Sequence, residues 1–225
     1  MPTLLPDLPQ VEAAIIAGTN TVRSQAKLAP VVVSPQLTAA ARAYAALLAT
    51  TNRFSHYADG NPSQRAVRAG YQACGIAENI AMRRDSGGFE TGVLAASVVD
   101  GWLHSPAHAR NLRAHDMTEA GVGLAKSPVR EGEYIAVQLF GRPQSSGIAF
   151  DVKNSLADSV IFTFEGKPRE LAPNKVYTLR ACSSSPLTFA TKTAPITRLQ
   201  AANGKTYTVS GNPLRVDITA RAPGT

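Results

Sequence analysis

Apolar residues in this 225-residue chain change their repeat near residue 145. Before that point they recur every three to four positions. After it they alternate with polar residues. A helical repeat and a strand repeat turn different faces of the backbone to a core, so no single element type satisfies both parts. Two domains are expected, residues 1–145 and residues 146–225, and the length allows one domain of about 140 residues with a smaller one behind it.

The first part reads as helices around a small sheet. Val11, Ile15 and Val22 share one face of a helix from Val11 to Arg23. Ser34-Pro35 is a start signal, with serine as N-cap and proline at the first helical position. Leu37, Ala40, Ala41, Tyr44, Leu47 and Leu48 then carry a helix to about Thr51. Phe89 to Leu103 reads as another, with Val93, Ala96, Val99 and Leu103 on its stripe, and Ser105-Pro106 restarts a short helix. Gly121–Ala125 and Tyr134–Phe140 read as an antiparallel pair across a loop holding Pro128 and Gly132. Such a mixture is an α/β layered domain.

From Phe150 onward no helix is expected. Asp158–Gly166, Lys175–Ala181, Pro186–Thr191 and Ile196–Val209 read as strands and turns. Asn203-Gly204 is the strongest hairpin signal, because a type I′ turn needs positive φ at both central positions. Leu214–Thr219 alternates strictly, as a half-buried strand does. The expected domain is a small all-β sandwich or open barrel, reached through a linker at Gln144-Ser145-Ser146-Gly147.

Composition narrows the partners. Hydrophobic residues make up 44%, enough for an ordinary core. No run approaches the roughly 20 apolar residues of a membrane span. The net charge of +7 is uneven: residues 1–145 hold 13 basic and 11 acidic residues, and residues 146–225 hold 10 and 5. A basic second domain suits an anionic surface. No Lys/Arg cluster is interleaved with aromatics, so no nucleic-acid partner is expected. Cys74 and Cys182 fall on either side of the expected boundary. They form either one bridge in an oxidising compartment or two unpaired buried thiols. The first six residues lack the charged start and apolar stretch of a signal peptide. The protein is then either cytosolic or secreted with its signal removed.

Three short pieces carry the chemistry: Ser55-His56, Glu78-Asn79-Ile80 and the run Trp102 to Leu112. His56, Glu78 and His108 are the candidate site residues. Two neutral imidazoles and a carboxylate can ligate a divalent metal such as zinc and leave a position for water. Without metal the same set can act as acid, base and orienting group. Singly, each histidine suits an ordinary hydrogen-bonded role, and Glu78 a solvated or capping one. His104 is expected to flank the site, His115 to lie on the surface and Trp102 to pack in the core.

From about residue 12 to 142 the chain resembles the CAP superfamily, the SCP-domain proteins that include cysteine-rich secretory, antigen 5 and pathogenesis-related proteins. It most resembles the bacterial branch. The matching pieces run in order: Asn20-Thr21-Val22-Arg23, Leu37 to Leu48, Ser55-His56, Arg65, Gly70-Tyr71, Glu78-Asn79-Ile80 and Val98 to Trp102. Ser105 to Leu112, Gly121-Val122-Gly123 and Tyr134 to Gly141 complete the series. The resemblance implies an α-β-α sandwich with a central cleft lined by two histidines and two acids, with a divalent metal on the histidines in several members. His56 and His108 match the histidines and Glu78 the first acid. Ser105 stands where the second acid is expected, so a triad replaces a tetrad unless Asp100 or Glu119 substitutes.

The resemblance also implies a secreted or periplasmic protein. Three functions follow: binding of a lipid-like or cell-envelope ligand, a metal-dependent hydrolase using His56, Glu78 and His108, or a non-catalytic interaction module.

Overall fold

The computed structural model describes residues 4–190, 197–211 and 214–222. The chain divides into two compact units, Met1–Pro143 and Gln144–Thr225. In the first, the elements are α1 (Leu8–Gln25), β1 (Val32–Val33), α2 (Pro35–Thr51), α3 (Pro62–Arg68), β2 (Ala73–Arg84), α4 (Thr91–Leu103), α5 (Pro106–Leu112), β3 (Glu119–Lys126) and β4 (Glu133–Pro143).

The sheet runs β1-β3-β4-β2, with β1 parallel to β3 and the other pairs antiparallel. Successive side chains of a strand point to opposite faces, and β4 is buried on both. Tyr134, Ala136 and Phe140 join a core with α1, α4 and α5 residues such as Ile15, Val98 and Leu112. Ile135, Val137 and Leu139 join a second core with Leu37, Tyr44 and Leu48 of α2. This is the expected α-β-α sandwich. The buried stripe of α4 is rotated from the expected one: Leu94, Val98 and Trp102 are buried, whereas Val93 is exposed.

Local chemistry sets the helix starts. Ser34 accepts from the Leu37 amide, as the Ser-Pro signal requires. Asp7 caps α1 by accepting from the Gln10 amide, which begins that helix three residues before Val11. Ser105 stands at the N-cap of α5 without a side-chain capping bond. At the end of α1, the buried Arg23 donates to the carbonyls of Ala29, Leu112, Ala114 and Met117 at 2.8–3.1 Å. One guanidinium thus ties α1 to the segment after α5. Arg23→Leu strands these acceptors and is expected to cost about 3 kcal/mol in denaturant unfolding. A wild-type midpoint would contradict that role.

The second unit is an all-β sandwich. One sheet is β10-β9-β6-β7 and the other β12-β11-β5-β8, built from β5 (Ile148–Asn154), β6 (Val160–Phe164), β7 (Lys167–Leu171), β8 (Val176–Ala181), β9 (Pro186–Ala190), β10 (Thr197–Gln200), β11 (Lys205–Ser210) and β12 (Arg215–Ala220). Phe150, Phe162, Phe164, Phe189 and Tyr207 share its core.

The hairpin expected at Asn203-Gly204 does not form. β10 pairs with β9, whereas β11 pairs with β5 and β12, so the turn carries the chain from one sheet to the other. Only Gly204 of the two has positive φ. The Asn203 side chain accepts from the Ala149 amide and the Gly204 amide donates to the Ala149 carbonyl. The turn residues bond β5 rather than closing a two-strand ribbon. β12 is less buried than its alternation implied, since it is an edge strand with Ile218 half exposed. Thr191 and Ile196, the expected strand limits, lie outside the described residues. Neither Cys74 nor Cys182 is a free cysteine, so the reading as two unpaired thiols falls. Among the described residues no helix is long and apolar enough to cross a membrane.

Candidate functional site

The site wraps the outer edge of β2. Ile76, Glu78 and Ile80 point to the face covered by α2 and α3, while Ala77, Asn79 and Ala81 point to the face covered by α5. An edge strand leaves backbone groups unpaired, and two side chains cover them here. The Asn111 amide donates to the Glu78 carbonyl at 3.1 Å, and the Trp102 indole N–H donates to the Ile80 carbonyl at 3.0 Å. Asn111 also donates to Asn79 Oδ1, and Asn79 donates to the His108 carbonyl. This network holds α5, and with it His108, against the strand. Trp102 is buried as expected, and its N–H adds an anchoring bond.

His56 arrives from the other face on the loop after α2. The Tyr44 hydroxyl donates to the Ser55 carbonyl and accepts from the Ala58 amide, which pins that loop. Arg65 of α3 completes the clamp. It donates to the carbonyls of His56 and Gly60 and to Asp59 Oδ1, with its guanidinium 3.5 Å from the centre of the Tyr44 ring.

These contacts bring His56, Glu78 and His108 to one cleft of about 370 Å³, lined also by Tyr57, Asn61 and Ser63. Glu78 is the centre of its charge. One oxygen faces His56 Nδ1 at 2.7 Å, and the other accepts from Arg65 Nη2 at 2.5 Å. The Arg65 and Glu78 side chains are 2% and 1% exposed. Buried charges are tolerated when paired and hydrogen-bonded, and here the pairing is internal. Arg65 is the site residue that the sequence reading left without a role. The signal was an arginine in an otherwise short polar segment, and nothing local distinguishes it from a surface one.

The His108 ring lies 6.3 Å from that of His56, centre to centre. Burial, and next the nearby His56, push the His108 pKa below its ordinary value. The unfolded ring takes up its proton near pH 6.5, about its usual pKa, and the folded ring only lower. The unfolded state therefore binds more protons between those two values, so stability falls as pH drops below about 6.5 and levels off beneath the folded pKa. His108→Asn is expected to flatten that part of the curve, measured by denaturant unfolding at about pH 7 and about pH 5. An unchanged slope would assign it to another group.

Among the described residues no second acid lines the cleft. Asp100 is exposed and pairs with His104 Nδ1 at 3.2 Å. Glu119 lies beside Tyr71, whose pKa is raised by burial and by that carboxylate. His104 caps the end of α4, is exposed and is not among the residues lining the cleft, and His115 is exposed.

As arranged, the trio does not fit a three-ligand metal centre. Zinc holds imidazole nitrogens at about 2.0–2.1 Å, which at tetrahedral angles puts ring centres roughly 5 Å apart; these rings are wider. Among the described residues no three His, Cys, Asp or Glu side chains converge on a metal position.

The model of the cysteine-rich secretory protein family, CAP, matches residues 16–140. An outer surface protein of Borrelia burgdorferi is similar over 64% of this chain and 99% of its own, at 22% identity and a TM-score of 0.53, which supports the fold. An extracellular SCP-domain protein of Bacillus anthracis aligns over 60% of this chain at 27% identity, with a TM-score of 0.49. The chain spans only 41% of that protein's length. A search of curated proteins finds no match.

Proposed function

Since the chain belongs to the cysteine-rich secretory protein family, CAP, we propose that it is a secreted or envelope-associated protein whose cleft binds a polar cell-envelope ligand. The observation that carries this reading is the spent charge of Glu78. Its carboxylate is committed to Arg65 and His56, which leaves the two imidazoles to meet a ligand as hydrogen-bonding groups. Asn61 and Ser63 extend that polar lining. A wholly apolar lipid would leave these groups unpaired, at about 1–3 kcal/mol for each one buried. The surface location of the Borrelia protein supports a place outside the cytoplasm for this one. The surplus of five positive charges in residues 146–225 suits a salt-sensitive hold on an anionic surface.

The test is cosedimentation of the full chain with isolated cell envelopes. His108→Trp fills the cleft and is expected to weaken retention about tenfold, or 1.4 kcal/mol. Equal retention by a folded variant would overturn the reading.

One observation favours a second reading, hydrolysis. With Nδ1 turned to Glu78, His56 keeps Nε2 as its basic nitrogen, the arrangement of an oriented general base. Among the described residues no serine, threonine or cysteine side chain bonds either imidazole, so the attacking group would be water. Release of soluble fragments from envelopes, lost in His56→Gln, would establish it.

A further inference from the structure

The cleft does not end at α3. Asn61 and Ser63 line it on one side and, on the other, line a second hollow of about 650 Å³ that runs past Gln64 to Val67 and Arg68. The two hollows share these residues and so adjoin across the first turn of α3. A strand crossing that shared wall would reach both hollows, a length that suits several linked units rather than one compact ligand.

The groove is locally neutral despite its charged residues. Asp59 is bonded to both Arg65 and Arg68, at 2.8 and 2.6 Å. Glu78 is bonded to Arg65 and His56. Two carboxylates thus face two guanidiniums. What remains for a ligand is a set of uncharged donors and acceptors.

Beside them stands an unusual aromatic. Tyr57 lines the cleft, is 71% exposed, and meets the edge of the His56 ring at 6.4 Å between centres. Phe54 of the same loop is about half exposed. Nothing in the core asks for these rings outside. An exposed ring beside uncharged hydrogen-bonding groups matches a ligand with an apolar face and a polar rim. Linked pyranose rings have that form, with C–H groups on the face and hydroxyls around the edge.

We propose that the cleft and the adjoining hollow form one groove for a neutral oligosaccharide strand, with Tyr57 as the stacking platform for one sugar ring. This rests on the reading of the cleft as an envelope-binding site and names its ligand class. Tyr57 then determines specificity, and chain length matters because the second hollow is filled only by a longer strand.

The experiment is calorimetric titration of the full chain with N-acetylglucosamine and with its linked trisaccharide. The trisaccharide is expected to bind at least about fivefold tighter than the monosaccharide. Tyr57→Ala is expected to weaken trisaccharide binding about five- to tenfold, while Tyr57→Phe keeps it within about twofold, since the ring face and not the hydroxyl carries the contact. Affinity should not change between low salt and about 0.15 M. Unchanged affinity in Tyr57→Ala, or a salt-sensitive preference for a sulfated trisaccharide, would overturn the proposal. Absence of sugar binding while envelopes still retain the chain through the cleft would overturn the sugar class alone. Loss of both would remove the envelope reading as well.

Discussion

Arg65→Met is expected to lower the stability of the first unit by about 3–5 kcal/mol, the usual cost of leaving a buried charge without its partner. The reason is the position of Glu78. Its side chain is almost wholly buried, and Arg65 supplies one of its two polar contacts. The same change removes the donors to Asp59 and to the carbonyls of His56 and Gly60, so the loop carrying His56 loses its clamp. Replacing both partners separates these effects. Arg65→Met with Glu78→Gln removes the stranded charge and should recover much of the loss, because replacing a buried ion pair as a whole is often close to neutral. The check is denaturant unfolding of both single variants and the double variant. A double variant as unstable as Arg65→Met would place the cost in the loop clamp and not in the charge.

Gly123→Val is expected to be comparably damaging, by about 3 kcal/mol or more, at the upper end of overpacking. A Cβ at Gly123 would lie 2.1 Å from the Arg42 amide nitrogen, and one at Gly121 would lie 2.1 Å from that of Thr38. Both obstacles are backbone of α2, which cannot rotate aside as a side chain can. Helix α2 therefore rests directly on β3, and the two glycines set its height above the sheet. Because α2 carries Tyr44, the ring under Arg65, the same contact sets the depth of the site. Thermal unfolding of Gly121→Ala and Gly123→Val would measure it. Near wild-type midpoints would mean that α2 can lift from β3 at little cost.

The helices were legible because their signals are local. Ser34-Pro35 starts α2 where the cap chemistry says, and the run Tyr134–Phe140, apolar but for Gln138, is a strand buried on two faces. Strand β2 was not legible, and its physical reason is the site itself. Ile76, Ile80 and Met82 alternate as a strand should, but Glu78 interrupts the pattern at the buried position between them. A residue placed for charge breaks the signal that would have revealed its strand. Helix α3, seven residues long, is too short for a period to emerge. Asn203-Gly204 failed differently. Its turn chemistry is local, but the partner of the following strand is β5, some fifty residues earlier, which no local signal encodes. The trio His56, Glu78 and His108 was legible as a candidate set of imidazoles and carboxylate, which the family resemblance matched, and it does meet in one cleft. Arg65, which neutralises it, had no visible partner in sequence, since its contacts to Tyr44 and Glu78 are made only by the fold.

The claim that most needs testing is that the Glu78 carboxylate is spent on Arg65 and His56, leaving a hydrogen-bonding cleft. Calorimetric titration of zinc into the metal-stripped full chain, beside His56→Ala and Glu78→Gln, tests it directly. The account predicts no tight stoichiometric uptake, and the same weak response in the wild type and both variants. Tight binding of one zinc ion, lost in both variants, would show that Glu78 is free to ligate and would contradict the account.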